Sequence, residues 1–226
     1  MFTLDQVVPW GRSFAEYRRM LALTDGDLQG RILGCADGPA SFNTEATARG
    51  ARVVSTDPLY RYDVSQIRQR IAATRDQVLE QTRQNAAEFV WDTMTSVEEL
   101  GAVRMAAMDA FLDDYETGRQ QGRYLDAELP TQPFPDRSFD LAVCSHYLFL
   151  YTGQLTEAFH LLSVDELCRV AHEVRIFPLL ALGGRQSPYV ELVISSRGRR
   201  YHAAIEAVPY EFQRGGNRMM RVRSVV

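Results

Sequence analysis

Residues 32–41 read Ile32-Leu33-Gly34-Cys35-Ala36-Asp37-Gly38-Pro39-Ala40-Ser41, a short apolar run followed by small residues. Such a run is typical of a buried strand, and small residues suit a tight turn from a strand into a helix. The pattern next predicts a helix over 44–49 that ends at Gly50. A β-branched strand over 51–57 then ends on Asp57 and Pro58. This order predicts a βαβ unit and therefore a parallel sheet.

The flanking sequence extends this unit within a single predicted domain over 1–226. An N-terminal helical segment over 1–30 contains a capping box that begins at Ser13. A helical insertion is predicted over 64–122, with Met105 and Met108 as core filler. Further strands are predicted at 123–125, 139–144, 173–180, 203–208 and 219–223, the last two as an antiparallel pair. Further helices are predicted from Ser163 toward His172 and over 188–196.

The composition excludes several chemistries. All 25 basic residues among the 226 are arginine, so Schiff-base, phosphate-binding and general-base lysines are impossible. A net charge of -4 and the absence of long basic runs argue against nucleic-acid binding; the densest basic cluster is Arg197, Arg199 and Arg200. Three cysteines without metal-site spacing predict no metal and a reducing compartment. No signal-peptide core or long apolar stretch is present, which predicts a cytoplasmic protein without a membrane segment.

Unusual residues follow three predicted strands. Ligands of open parallel sheets bind at the carboxyl ends of the strands. The turn over 34–41 would let a ligand approach main-chain N–H groups, and Asp57 is placed to accept hydrogen bonds from a ribose diol. Together these features suggest a cofactor that contains adenosine. The third strand end carries Ser145 and His146.

The residues over 32–42, the strand ending at Asp57 and the segment 129–144 resemble the motifs of the class I S-adenosylmethionine-dependent methyltransferases. The resemblance implies a Rossmann-like α/β fold, with a mostly parallel seven-stranded sheet, an antiparallel last strand and helices on both faces. It also implies S-adenosyl-L-methionine as cofactor and a ribose-binding role for Asp57. The adenine would lie near Glu128 and Leu129, with Asp126 as the rival of Glu128. The cofactor contacts implied overall are Gly34, Cys35, Ala36, Asp37, Gly38, Asp57, Pro58, Glu128, Leu129 and Ser145.

The first motif departs from the family pattern in two ways. Gly34 stands where the family usually has an acid, and Ala36 and Ala40 replace glycines. We expect close approach to survive if both alanines have negative φ. Asp37 is the candidate to replace the missing acid; the alternative is that Asp37 caps the next helix.

The sequence leaves the methyl acceptor and the oligomeric state open. The Asn-Pro-Pro-Tyr type of motif is absent, which argues against base and glutamine methylases, and we expect a small-molecule acceptor. His146 is the candidate general base, with a role in shaping the pocket as the alternative. His160, His172 and His202 are interpreted as ordinary surface or helix residues. Two other functions remain open: a cofactor-binding protein without catalysis, and an NAD-dependent oxidoreductase, which the missing G-x-G-x-x-G spacing disfavours.

Overall fold

The computed structural model describes residues 2–4, 6–197 and 200–224, whose seven strands form one sheet. In chain order the strands are β1 (Arg31–Cys35), β2 (Arg52–Thr56), β3 (Tyr124–Leu125), β4 (Phe139–Ser145), β5 (Ala171–Phe177), β6 (Tyr201–Ala207) and β7 (Arg218–Ser224). Their order across the sheet is β3-β2-β1-β4-β5-β7-β6. Strands β1 to β5 pair in parallel, whereas β7 is antiparallel to both β5 and β6. The predicted Rossmann-like class I methyltransferase fold is therefore confirmed.

Six α-helices in the described ranges surround the sheet. They are α1 (Phe14–Met20), α2 (Phe42–Ala48), α3 (Val64–Gln84), α4 (Val97–Gln120), α5 (Glu157–Val170) and α6 (Tyr189–Arg197). Short 3-10 turns cover Asp27–Gln29, Pro58–Arg61 and Ala86–Glu88.

The core lies on both faces of the sheet because neighbouring strand residues point to opposite sides. Leu33 of β1 packs with α5 and α6 in one cluster, whereas its neighbour Ile32 packs with α1 and α2 in another. Strand β4 divides in the same way, with Ala142 in the first cluster and Val143 in the second. Helices on both faces were predicted, and the two clusters confirm them.

Helices α3 and α4 fill the predicted insertion between β2 and β3. Asp63 caps α3 through a capping box with Gln66, and the hydroxyl of Ser96 caps α4 by accepting from the Glu99 amide. The two helices form a separate apolar cluster that includes Met108, which is fully buried. This cluster packs against β3, which forms one edge of the sheet.

The predicted boundaries of α5 were wrong, and β5 spans Ala171–Phe177 rather than residues 173–180. Helix α5 begins after its cap Thr156, whose hydroxyl accepts from the Phe159 amide. Ser163 therefore lies inside α5, on its buried face, and the capping pattern there was misleading. The helix ends at Val170, so that His172 belongs to β5.

Helix α2 also starts earlier than predicted, at Phe42 rather than at residue 44. Phe42 is fully buried, and its ring stacks on Tyr17 at 4.4 Å between centroids, which extends the helix toward the turn. Of the predicted basic cluster, Arg199 lies outside the described residues.

Candidate active site

The turn after β1 brings a carboxylate into the space that a side chain at position 34 would fill. A Cβ atom built on Gly34 would lie 1.8 Å from Oδ2 and 2.6 Å from Cγ of Asp37. Glycine at position 34 is therefore required by the position of the Asp37 carboxylate. The Asp37 carboxylate thus lies beside position 34, where the resemblance implies an acid.

Hydrogen bonds hold the Asp37 carboxylate there. Oδ1 accepts from the Tyr17 hydroxyl at 2.8 Å, and Oδ2 accepts from the Ser55 hydroxyl at 2.6 Å. Burial raises the pKa of Asp37 to about 6, although both hydrogen bonds favour the charged form. Neither oxygen caps α2, whose N-cap is Ser41, so the capping alternative for Asp37 was wrong.

Asp57 ties the end of β2 to the same turn. Its Oδ2 accepts from the Gly38 amide at 2.9 Å and its Oδ1 accepts from the Leu59 amide at 2.7 Å. Burial raises the pKa of Asp57 to about 6, and the nearby Glu128 carboxylate adds to the effect. The half-buried carboxylate still borders the cavity described below, so it has capacity to accept further hydrogen bonds from a ligand.

The backbone of the turn differs from the expectation of negative φ. Ala36 has a φ of 55° and Gly38 a φ of 53°, both in the left-handed region. The left-handed region costs an alanine about 1–2 kcal/mol. The Ala36 amide donates to the Thr56 carbonyl at 2.8 Å, which fixes the turn against β2. Strain of this kind is often found at functional sites.

A cavity of about 330 Å³ opens at the carboxyl ends of β1, β2 and β4. Nine of the predicted site residues line it, namely Ala36, Asp37, Gly38, Asp57, Pro58, Glu128, Leu129, Ser145 and His146. Gly34 and Cys35 do not line it, because both lie within β1, where Cys35 is 1% exposed. Of the two rival acids, Glu128 faces the cavity, whereas Asp126 pairs with Arg61 at 3.0 Å.

A large part of the cavity lining is apolar and comes from segments far apart in the sequence. The N-terminal segment contributes Phe2, Leu4, Val7, Val8 and Trp10; the insertion contributes Val78, Phe89 and Leu100; later loops contribute Leu150, Leu182 and Phe212. Sequence reasoning missed this wall, because no local pattern joins these residues. From the insertion at residues 64–122, both α3 and α4 contribute residues to the cavity lining.

His146 follows β4 directly, with a left-handed φ of 53°. Its amide donates to the Phe177 carbonyl at 2.6 Å, and its Nδ1 lies 2.9 Å from the Ser145 hydroxyl oxygen. Burial, together with the positive charges of Arg12 and Arg104, lowers the pKa of His146 well below its ordinary value. The imidazole is thus neutral at physiological pH, and the role of His146 as a general base stays a prediction.

His160 was interpreted as an ordinary surface or helix residue, and it lies in helix α5. It is fully buried in α5, and its ring nitrogens lie 2.8 Å from the Thr156 and Leu148 carbonyls. The neutral ring has one N–H group, so it donates to one of these two carbonyls, and that bond satisfies its donor in the core. His160 therefore anchors the loop after β4, which carries part of the cavity wall.

Three polar residues of the cavity lining, Arg12, Arg104 and Tyr210, lie around Glu16, which does not line the cavity. We call Arg12, Glu16, Arg104 and Tyr210 the arginine cluster. Nη1 of Arg104 donates to Oε2 of Glu16, and the Tyr210 hydroxyl donates to Oε1 at 2.9 Å. Although burial acts in the opposite direction, Arg104 lowers the pKa of Glu16 to about 2. Burial and Arg104 together lower the pKa of Arg12 to about 10, which leaves it charged at neutral pH.

Arg104 was missed in the sequence although a signal was present. The apolar stripe of α4 contains Leu100, Met108 and Phe111, and Arg104 occupies a position on that same stripe. A charged residue at a core position is rare unless it is paired or functional. The pattern predicts its burial, but only the fold shows that it borders the cavity.

The described ranges contain neither a metal-binding cluster nor a membrane-spanning helix. No group of three or more His, Cys, Asp or Glu side chains there could hold a metal ion. None of the described helices is long and apolar enough to cross a membrane.

Comparison with known protein sequences places the chain in a family. Over 221 residues the chain is 33% identical to the uncharacterized protein MJ0045 of Methanocaldococcus jannaschii, covering 97% of each chain. The chain belongs to the same family as MJ0045. No family model matches the chain.

Solved structures resemble this member of the MJ0045 family only distantly. The PH0226 protein of Pyrococcus horikoshii is 11% identical, with a TM-score of 0.47, over 87% of this chain and 82% of the other. The magnesium protoporphyrin IX methyltransferase of Synechocystis PCC 6803, with bound SAM, is 11% identical, with a TM-score of 0.44, over 88% and 73%. The sequence identities and TM-scores are low, and the fold assignment therefore rests on the order of the strands in the sheet.

Proposed function

We propose that the protein is an S-adenosylmethionine-dependent methyltransferase that acts on a small-molecule acceptor. The observation that carries this proposal is the return of the Asp37 carboxylate to the position of the missing motif acid. With it, a pattern that appears degraded in the sequence has both of its carboxylates, Asp37 and Asp57, beside one cavity.

The residues present fit the cofactor. Gly38 has a left-handed φ and no heavy atom closer than 4.0 Å to a Cβ built on it, so the turn leaves room for a ligand against the main chain. We assign the ribose diol to Asp57, the amino-acid end to the turn around Asp37, and the adenine to the wall formed by Glu128 and Leu129. When bound, S-adenosylmethionine supplies a methyl group on a positively charged sulfur, which leaves as a neutral thioether.

The chain contributes mainly by positioning and by excluding water. The apolar wall shields the acceptor, and transfer from a sulfonium depends chiefly on in-line alignment. If Nδ1 of His146 donates to the Ser145 hydroxyl, then Nε2 has a free lone pair that can accept a proton from the acceptor. Because the pKa of His146 is lowered, its imidazole is a weak base. We propose that it orients the methyl acceptor by accepting a hydrogen bond from a group of that molecule that is already acidic.

Calorimetry with S-adenosylhomocysteine and NAD tests the cofactor. We expect S-adenosylhomocysteine to bind and NAD not to bind. Asp57→Asn should weaken S-adenosylhomocysteine binding by about tenfold or more, because a hydrogen bond to a charged group is lost. The matched control is Asp126→Asn, whose carboxylate pairs with Arg61 away from the cavity, and we expect no change. Binding of NAD alone would overturn the proposal, and binding without methyl turnover on any acceptor would favour the non-catalytic alternative.

A further inference from the structure

The guanidinium of Arg104 has unused hydrogen-bond donors at the cavity. The side chain is 1% exposed, and Nη1 is bonded to Glu16. Nε and Nη2 have no hydrogen-bond partner in the described part of the chain. These two nitrogens share one edge of the guanidinium, and their N–H bonds form the fork that matches a carboxylate. A buried donor without a partner is costly, which points to a missing partner.

The charge of the arginine cluster indicates the sign of that partner. Arg12 and Arg104 are both positive, and Glu16 is the one carboxylate that the described residues place in the cluster. One positive charge therefore remains uncompensated. The burial that raises the pKa of Tyr210 to about 12 keeps its phenol neutral at physiological pH.

The groups that face the cluster from neighbouring elements do not supply the missing charge. His146 is neutral because its pKa is lowered, and burial raises the pKa of Tyr17 well above its ordinary value. The Asp37 carboxylate accepts from the Tyr17 and Ser55 hydroxyls and, among the described residues, forms no ion pair with Arg12 or Arg104. An anion from outside the chain would therefore complete the cluster.

We propose that the methyl acceptor is an apolar molecule with a carboxylate, and that Nε and Nη2 of Arg104 bind this carboxylate while Arg12 lies beside it. The apolar wall of the cavity would hold the rest of the molecule. The inference rests on the proposed function only in naming the bound molecule as the methyl acceptor. Both nitrogens are buried, so the guanidinium must turn toward the cavity to meet the carboxylate; away from bulk water, a charge-assisted hydrogen bond is stronger than at a surface.

A second source of the same chemistry is the amino-acid carboxylate of the cofactor. The backbone of Arg12 lies against the cofactor turn, where its carbonyl accepts from the Ser41 amide at 3.1 Å. Arg104 is carried instead by the insertion, whose Val78, Phe89 and Leu100 form the apolar wall. We therefore assign the acceptor carboxylate to Arg104, and the experiment separates the two sources.

The experiment measures binding by calorimetry in the presence of saturating S-adenosylhomocysteine. The probes are hexanoate, phenylpropanoate and hydroxybenzoate, each compared with its neutral amide, and phenyl phosphate as a different anion. We expect at least one carboxylate to bind about tenfold or more tightly than its amide and than phenyl phosphate. In Arg104→Met the ratio of the amide Kd to the carboxylate Kd should fall to about one, because the fork is the source of the discrimination. Arg104→Lys should restore only part of it.

Loss of Arg104 leaves Glu16 buried without its partner, so the single variant can fail to fold. The double variant Glu16→Gln/Arg104→Met removes both charges and keeps the measurement interpretable when its thermal unfolding remains cooperative. S-adenosylhomocysteine should bind the variants within about twofold of the unmodified protein, since Arg104 does not contact it in this proposal.

Three results would overturn the proposal. In the first, amides or phenyl phosphate bind as well as the carboxylates, or no probe binds while S-adenosylhomocysteine does. In the second, the preference for the carboxylate survives the loss of Arg104. In the third, the variants bind S-adenosylhomocysteine weakly but methylthioadenosine, which lacks the amino-acid end, normally; Arg104 would then serve the cofactor. Binding of a carboxylate without any binding of S-adenosylhomocysteine would instead reject the proposed function alone.

Discussion

Gly34→Ala should destabilise the protein, because a Cβ at position 34 would lie 1.8 Å from Oδ2 of Asp37. The three atoms nearest to that Cβ all belong to the Asp37 side chain, so the carboxylate must leave its site. It then loses its hydrogen bonds from Tyr17 and Ser55. Each bond to a charged group contributes about 1.5–3 kcal/mol. Some of this is recovered when the carboxylate reaches water, and we expect a net cost of about 3 kcal/mol in the free energy of unfolding.

Gly34→Ala should change the free energy of unfolding in the opposite direction when Asp37 is absent. In an Asp37→Ala background the space is empty, and alanine in a strand is about 0.5–1 kcal/mol more favourable than glycine. Gly34→Ala should therefore stabilise that background slightly. The four proteins form a double-mutant cycle, and contact between the two side chains predicts strong non-additivity.

Urea unfolding at neutral pH, followed by tryptophan fluorescence and circular dichroism, measures the four free energies. Gly153→Ala is the matched control, because no heavy atom lies within 4 Å of a Cβ at that position. We expect the control to be near neutral. If Gly34→Ala costs the same with and without Asp37, the carboxylate does not occupy the site and the argument for the restored motif fails.

Ala36→Gly should raise the free energy of unfolding by up to about 1 kcal/mol, measured by urea unfolding, because glycine adopts the left-handed φ of 55° without strain. Asp57→Asn should raise the thermal unfolding temperature of the cofactor-free protein above pH 6. The folded pKa is raised from 3.8 to about 6, so the charged form destabilises the fold as pH rises through that window; an unchanged pH dependence would contradict this. S-adenosylhomocysteine affinity, measured by calorimetry, should fall as the pH drops below about 6, because a protonated Asp57 accepts hydrogen bonds less well; constant affinity down to pH 5 would reject the ribose role.

Local patterns were sufficient for most of the sheet. Apolar runs predicted β1 and β4, β-branched residues predicted β2, and two short strands around the turn at 214–217 predicted the final antiparallel pair. The prediction was wrong where two local signals competed, as at the start of α5. Both Thr156 and Ser163 can cap a helix, and only packing against the sheet puts Ser163 on the buried face. The backbone conformation of single residues could not be predicted either, because the left-handed φ of Ala36 goes with a hydrogen bond from its amide to β2.

The sequence by itself determined the order of strands and helices and placed Asp57 at a strand end, because these features depend on residues that are close in the chain. The tertiary structure alone decided that Asp37 fills the space beside Gly34, since that position depends on Tyr17 and Ser55. It also decided that Glu16 meets Arg104 and Tyr210, which are 88 and 194 residues away in the sequence. Contacts of that range arise only when the whole sheet assembles, and for this reason the turn after β1 and Asp57 were visible in the sequence whereas the arginine cluster was not.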